Sequence, residues 1–239
     1  ENAERLAGFM ADIGGIITEE DLLKYEPQER EPIRGTYRGY DIVSMPPPSS
    51  GGVILVEMLN ILEGFDLADM GHNSADYLHV LTETMRRAYA DRAEHLGDPD
   101  FNESMPLQRL MDKDYAETLR ASIDMDSASE SSPADFAQIY ESEETTHFSI
   151  VDKEGNMVSM TYTLEFGYGS GIVVEGGGYL LNNEMGDFNA VPGVTTTRGL
   201  IGTAPNLIEP EKRPLSSMTP TIVAKDGKPV FTAGSPGGK

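Results

Sequence analysis

The chain has 239 residues, of which 38% are hydrophobic, and its 40 acidic against 18 basic side chains give a formal net charge of −22. This length allows one large domain or two small ones, and the charge argues against nucleic acid or an anionic membrane surface as a partner. The absence of cysteine excludes disulfides, thiolate metal sites and cysteine nucleophiles, and no apolar stretch approaches the roughly 18 residues of a membrane span.

Residues 1–100 predict helices and one strand. Thr18 precedes three acidic residues in a helix-start pattern, and residues 36–43 alternate enough to predict a strand. A stretch rich in Pro and Gly then leads into a largely buried helix, which we predict over residues 53–62. Residues 73–96 predict a second helix, because five side chains recur there at helical spacing: Leu78, Leu81, Met85, Ala88 and Arg92.

A polar and acidic segment separates this region from one that is rich in strands. Residues 122–144 consist largely of Ser, Asp and Glu, which predicts a solvated and flexible segment. Beyond it, residues 147–152 and 156–164 alternate between polar and apolar side chains. We therefore predict two consecutive strands in the second half of the chain.

The short link between these strands predicts how they pair. Residues 153–155 end in glycine, and a three-residue hairpin loop favours Gly at its left-handed position. This turn makes Asp152 face Asn156, and the register that follows places Thr145 opposite Thr163.

Alternation gives the predicted hairpin two different faces. The odd positions share a mostly polar face, formed by His147, Ser149, Ser159, Thr161 and Thr163. The even positions share an apolar face, formed by Phe148, Ile150, Val158, Met160, Tyr162 and Leu164. We expect the apolar face to pack on a core, and the polar face to present hydroxyl groups around Thr145.

Thr145 is interpreted as a nucleophile that becomes a new N-terminus when the chain cuts itself. A threonine hydroxyl is a poor nucleophile unless a base lies beside it. An N-terminal threonine carries that base as its own α-amino group, whose ordinary pKa is about 7.7–8.0. In the uncut chain the nitrogen of Thr145 is an amide and cannot accept a proton, so the sequence as written predicts a precursor.

Several motifs in collinear order carry a resemblance to a known family. The downstream motifs are Thr145-Thr146-His147-Phe148-Ser149, Thr161-Tyr162-Thr163-Leu164, Leu180-Leu181-Asn182-Asn183-Glu184-Met185-Gly186-Asp187-Phe188, Arg213-Pro214-Leu215-Ser216-Ser217-Met218-Thr219-Pro220-Thr221 and Gly234-Ser235-Pro236-Gly237-Gly238. The upstream motifs are Pro46-Pro47-Pro48-Ser49-Ser50-Gly51-Gly52 and the stretch from Ala90-Asp91-Arg92 to Leu96-Gly97-Asp98-Pro99-Asp100-Phe101. In this order and spacing they resemble the γ-glutamyltransferases (γ-glutamyltranspeptidases), over nearly the whole chain.

The resemblance implies a fold and a subunit division. The fold class is α+β, a four-layer αββα sandwich of the N-terminal-nucleophile hydrolase type, of which this chain forms part. The precursor is expected to cleave itself between Glu144 and Thr145. Residues 1–144 then correspond to the C-terminal part of the large subunit, and residues 145–239 to the N-terminal part of the small, catalytic subunit. The N-terminal half of the large subunit and the last strands of the small one are expected to be missing.

The resemblance also implies the catalytic groups. Thr145 is expected to form a γ-glutamyl ester, and Thr163 is placed to orient its hydroxyl. The backbone amides of Gly237 and Gly238 are expected to form the oxyanion hole, where glycine permits close approach of the backbone.

The donor substrate is expected to be held at two positions. Glu165, Glu184 and Asp187 resemble the group that binds the α-ammonium of the donor. Ser216 and Ser217 resemble the pair that binds its α-carboxylate. Residues 192–199 resemble a lid loop, in which Arg198 stands where some relatives have an aromatic gate.

The expected donor is glutathione or another γ-glutamyl compound, and the acceptor is an amino acid, a peptide or water. The large and small subunits of one precursor are expected to form a heterodimer, which the resemblance places in the periplasm or outside the cell. No nucleic acid, cofactor or metal is expected to take part. The histidines also lack metal-ligand spacing: His72, His79 and His95.

Three alternatives remain. A related acylase of the cephalosporin or glutaryl type would use the same nucleophile with a different acyl group. The 239 residues could be a folded but inactive fragment, or a binding or structural module in which Thr145 has no chemical role.

Overall fold

The computed structural model describes residues 1–130, 145–189 and 203–237. The elements before the gap at 131 are α1 (Asn2–Asp12), α2 (Glu19–Lys24), β1 (Ile33–Tyr37), β2 (Tyr40–Ser44), α3 (Gly51–Leu62), α4 (Leu67–Met70), α5 (Ala75–His95), α6 (Leu107–Leu110) and α7 (Lys113–Ala121). Those after it are β3 (Thr145–Val151), β4 (Met157–Thr163), β5 (Thr221–Lys225), β6 (Lys228–Ala233) and short 3-10 turns at Glu184–Asp187 and Ala204–Asn206.

The larger sheet combines strands from both halves of the chain. Its order is β1-β2-β5-β6, and all neighbouring strands are antiparallel. β2 pairs with β5 from Asp41 opposite Ala224 to Ser44 opposite Thr221. Residues on either side of the predicted cleavage point are therefore neighbours in one sheet.

Helix α3 covers one face of this sheet. Val53 and Ile61 on α3 are fully buried, and α3 also contacts α5 and α7. Gly35 on β1 permits the close approach, because a Cβ there would collide with the methyl groups of Val56. A core forms between helix and sheet as a result, and it includes Ile42 and Val223 from the central strands.

The predicted helices are confirmed, and two of them begin at a side-chain cap. Thr18 closes a capping box with Asp21, with 2.8 Å from its backbone N to Asp21 Oδ2. Ser74 Oγ accepts from Tyr77 N at 3.1 Å at the start of α5. The side of α5 that is buried is not the apolar stripe that predicted this helix. Leu78 from that stripe is 46% exposed, whereas Glu83 is buried.

The prediction of one strand over residues 36–43 was wrong. The chain reverses at Arg38 and Gly39, whose φ angles are +49° and +82°, so β1 and β2 form a hairpin. Two consecutive residues with positive φ are typical of a type I′ turn, which matches the twist of the flanking strands. The alternation continued through this turn and concealed it.

The predicted pairing of β3 with β4 is confirmed, but the expected orientation of its faces was wrong. Ser149 Oγ lies 3.4 Å from Thr232 Oγ1 on β6, and Ser159 Oγ donates to the carbonyl of Ala233 at 3.3 Å. The polar face therefore packs on the larger sheet, and the apolar face is exposed, with Ile150 53% accessible. Alternation distinguishes the two faces, but long-range packing decides which one is covered.

The described layers are helices, the larger sheet and the β3–β4 hairpin. Two sheets that pack face to face, with helices outside one of them, form an α+β sandwich. Among the described residues, no helix is long and apolar enough to cross a membrane.

Candidate active site

Thr145 and Thr163 meet where the β3–β4 hairpin opens. They are register partners, and Thr145 Oγ1 donates a hydrogen bond to Thr163 Oγ1 at 3.2 Å. Thr163 Oγ1 also accepts from the backbone N–H of Glu165 at 2.9 Å. With two donors on its oxygen, the Thr163 hydroxyl fixes the direction of the Thr145 hydroxyl.

Glu165 follows β4 in an unusual backbone conformation. Its φ is +73°, in the left-handed region that residues with a side chain rarely adopt. Its carboxylate is buried and accepts a hydrogen bond from Asn183 Nδ2. Residues outside the favoured backbone regions concentrate at functional sites, where their surroundings hold them.

Asn183 holds Glu165 in this position. Its side-chain oxygen accepts from Phe166 N at 3.1 Å, and its backbone N–H donates to the Leu164 carbonyl at 3.1 Å. The sequence reasoning did not assign this residue a role, although it lies inside one of the quoted motifs. A half-buried amide that bonds both the backbone and the carboxylate of the same loop is a signal only structure provides.

The Glu184–Asp187 turn lies beside Glu165. A Cβ on Gly186 would stand 3.1 Å from Glu165 Oε2, so the glycine lets the turn approach that carboxylate. The backbone carbonyl of Asp187 accepts from Asn206 Nδ2 at 2.7 Å. Three predicted ligands of the donor ammonium, Glu165, Glu184 and Asp187, therefore lie in two adjoining segments.

The loop between β2 and α3 and the loop before β5 hold the serine pair. Ser50 N donates to the Ser216 carbonyl at 2.9 Å, and Ser216 N donates to the Pro48 carbonyl at 3.0 Å. Arg92 Nη2 donates to Ser217 Oγ at 3.0 Å, and Arg92 Nε donates to Ser50 Oγ at 2.8 Å. Arg92 was noted only for its helical spacing and as part of an upstream motif, so its link to the serine pair was missed.

The structure describes only one of the two glycines that are predicted to form the oxyanion hole. Gly237 follows β6 with a φ of +84°, and in the described part of the chain no hydrogen bond joins it to Thr145 or Thr163. Its oxyanion role stays a prediction. Glu144, Gly238 and residues 192–199 lie outside the described residues.

Unusual electrostatics lie where α3, α5 and α7 meet. Burial, and then the neighbouring charge of Asp91, raise the pKa of Glu57 to about 9. Burial and a hydrogen bond to Asp91 raise the pKa of Tyr115 to about 12, with 2.7 Å between its hydroxyl and Asp91 Oδ2. Glu57 is therefore protonated near neutral pH. Among residues 1–130, 145–189 and 203–237, no cluster of three or more acidic or histidine side chains could hold a metal.

Paired sheets, an outer helical layer and a threonine at the start of a strand define a sandwich of the N-terminal-nucleophile hydrolase type. The cephalosporin acylase from Bacillus halodurans has this architecture, and it superimposes with a TM-score of 0.76 at 27% identity, covering 97% of this chain and 39% of that one.

The sequence model described as gamma-glutamyltranspeptidase matches residues 1–239, and the chain belongs to this family. It is 53% identical over 239 residues to the glutathione hydrolase proenzyme of Escherichia coli (strain K12), covering 99% of this chain and 41% of that protein. It is 42% identical over 232 residues to the acylase ACY 1 proenzyme of Pseudomonas sp. (strain SE83), covering 97% of this chain and 39% of that protein. The chain thus spans about two fifths of the length of these relatives.

Proposed function

We propose that the full-length protein transfers or hydrolyses γ-glutamyl groups through an ester on Thr145, after it cleaves itself before that residue. The observation that carries the proposal is the hydrogen bond from Thr145 Oγ1 to Thr163 Oγ1 at the start of β3. The relative named as a glutathione hydrolase proenzyme supports both the chemistry and the maturation.

In the maturation step, the Thr145 hydroxyl attacks the carbonyl of Glu144. The Glu144–Thr145 amide becomes an ester on Oγ1 as the C–N bond breaks, and the nitrogen leaves as a free amine. Water then hydrolyses the ester. The products are the carboxylate of Glu144 and a Thr145 that carries both a free hydroxyl and an α-amino group.

In turnover, the new amine accepts the proton of the Thr145 hydroxyl as general base. The oxygen attacks the γ-carbonyl of glutathione or another donor, and the leaving amine departs with a proton. Water or the amine of an amino acid or peptide then takes the γ-glutamyl group from Thr145. The amides of Gly237 and Gly238 are proposed to stabilise the oxyanion in both halves of the reaction.

Donor recognition uses negative charges for the ammonium and neutral hydroxyls for the carboxylate. Glu165, Glu184 and Asp187 bind the α-ammonium of the donor, and the hydroxyls of Ser216 and Ser217 bind its α-carboxylate. No cofactor takes part. The two pieces of the precursor remain together as a heterodimer, which we place in the periplasm or outside the cell.

Intact mass spectrometry of the full-length protein after incubation near neutral pH tests the proposal, beside Thr145→Ala and Thr161→Ala. Thr145→Ala should remain one chain, while wild type and Thr161→Ala should break between Glu144 and Thr145. Thr161 is the matched control because it is a threonine on β4 of the same hairpin whose hydroxyl bonds His147 instead. An unbroken wild-type chain would contradict the proposal.

A related acylase activity is the second candidate. The similarity to the acylase ACY 1 proenzyme and to cephalosporin acylase supports it. Asp187 favours a donor with an α-amino group, which glutaryl compounds lack. Initial rates on γ-glutamyl-p-nitroanilide and glutaryl-p-nitroanilide separate the two, and faster turnover of the glutaryl amide would favour the acylase.

The isolated 239 residues should be inactive, because they span only about two fifths of the length of these relatives. We expect neither self-cleavage nor release of p-nitroaniline from γ-glutamyl-p-nitroanilide. Turnover by the purified 239-residue chain would contradict this.

A further inference from the structure

Arg92 lies in the last turn of α5, between the two predicted parts of the donor site. Its guanidinium reaches Ser217 on one side, at 3.0 Å. Burial lowers the pKa of Arg92, and on the other side the charges of Tyr89 and Asp187 are near enough to oppose that shift. The cation therefore lies close to groups predicted to bind the carboxylate and the ammonium of the donor.

The partners of Arg92 do not neutralise it. Its hydrogen bonds go to the hydroxyls of Ser50 and Ser217, and among the described residues no carboxylate lies within 4.0 Å of its nitrogens. A guanidinium stays charged in proteins. Withdrawing a cation from water is costly unless an anion pairs with it, so this arrangement suits an anion that arrives from outside.

The direction of these hydrogen bonds decides what the serines can do. Arginine only donates, so the oxygens of Ser50 and Ser217 must accept from it. Ser50 then directs its own proton to the Ser216 carbonyl at 2.8 Å. No acceptor for the Ser217 hydroxyl occurs in the described part of the chain, which leaves that proton for a ligand.

We propose that Arg92 is a positioning residue for the α-carboxylate of the donor. It holds Ser217 Oγ as an acceptor, which turns the hydroxyl proton toward the ligand, and it adds positive charge behind that hydroxyl. Through Ser50 it also fixes the backbone of Ser216. This inference rests on the proposed γ-glutamyl activity and assigns the carboxylate specificity of that site to a residue upstream of Thr145.

The test uses the full-length, processed protein and two p-nitroanilides. γ-Glutamyl-p-nitroanilide carries the α-carboxylate, and 4-aminobutyryl-p-nitroanilide lacks it. Arg92→Gln should raise KM for the first by about 10–100-fold, the range expected for a lost charge-assisted hydrogen bond. It should leave kcat largely unchanged and leave the second substrate unaffected.

Two further variants separate positioning from folding. Arg92→Lys keeps the charge but loses the planar fork, so its KM should lie between those of wild type and Arg92→Gln. Arg87→Gln is the matched control, because Arg87 is a largely buried arginine on the same helix that bonds Glu83 and Ser122 instead. It should leave the ratio of kcat/KM for the two substrates at the wild-type value.

The outcomes distinguish this inference from the proposed function. A wild-type protein without preference for the carboxylate-bearing amide would overturn both. If wild type prefers the carboxylate-bearing amide and both Arg92→Gln and Arg92→Lys keep that preference, only the role of Arg92 is overturned. Equal losses on both substrates, or the same loss in Arg87→Gln, would show that Arg92 is merely structural. If Arg92→Gln is not processed, the KM of Arg92→Lys decides.

Discussion

The two sheets differ in what lies on their apolar faces. In the four-stranded sheet, Ile42 is only 5% exposed beneath helix α3, whereas Ile150 in the β3–β4 hairpin is 53% exposed. The hairpin is instead covered on its polar side, where hydroxyls face the strands of the larger sheet. The sheet's covered side supplies a hydrophobic core, and the hairpin's covered side carries the threonine pair.

The largest expected effect tests the covered apolar face. Ile42→Ala in the full-length protein should lower the free energy of unfolding by about 2–5 kcal/mol, because it removes buried methyl groups and leaves a cavity under α3. Urea denaturation at one pH measures it. A cost near zero would mean that the helix does not pack on the sheet as described.

A smaller effect should arise where the hairpin's polar face meets the larger sheet. Gly234→Ala should cost about 1–3 kcal/mol, because the new Cβ would collide with the ring of His147. Gly8→Ala is the control: it lies in helix α1, and apart from its neighbours and the helix backbone no described atom lies within 4 Å of the new Cβ. That change should stabilise slightly, by about 0.5–1 kcal/mol, and thermal unfolding compares the two.

The buried acid behind the core should make stability depend on pH. Because the pKa of Glu57 is raised from 4.5 to about 9, the folded protein holds a proton that the unfolded chain has lost. The stabilisation is complete below pH 4.5 and is lost as pH rises toward 9. Glu57→Gln should remove a slope of about 1.4 kcal/mol per pH unit, which urea denaturation at pH 6 and pH 8 would show.

Glu83 provides a control of opposite sign. Burial raises its pKa, but hydrogen bonds from Ser129 and Arg87 outweigh burial and lower the pKa to about 2. Its stabilisation is present above pH 4.5 and is lost as pH falls toward 2. Glu83→Gln should therefore leave the slope between pH 6 and pH 8 unchanged, and a flattened slope in this variant would contradict the assignment to Glu57.

The smallest effect is expected on the exposed face of the hairpin. In the 239-residue chain, Ile150→Ala should change the free energy of unfolding by less than about 1 kcal/mol. In the full-length protein the cost should rise, because the αββα sandwich has helices outside both sheets. Equal costs in the two proteins would mean that nothing covers this face.

Local signals predicted part of this structure well. Gly155 set the hairpin turn and with it the pairing of Thr145 with Thr163, and Thr18 marked the start of α2. Both depend on residues within a few positions of each other, so the sequence contains the whole cause.

Long-range contacts were beyond the same reasoning. Arg92 and Ser217 are 125 positions apart, and the spacing of neither residue indicates the other. The left-handed backbone of Glu165 depends on Asn183, 18 positions later. The orientation of the hairpin failed for a similar reason, since β5 and β6, which cover its polar face, come about 60–80 residues after it.

The pairing of β2 with β5 has a consequence for the protein after the proposed cleavage. A break before Thr145 would leave the two pieces joined within one sheet, because four backbone-paired positions of β2 and β5 link them. The two pieces cannot exchange between molecules without tearing a central strand from its neighbour. Every mature molecule should keep the two pieces with which it was synthesised, and subunits mixed from two preparations should not recombine until the sheet itself unfolds.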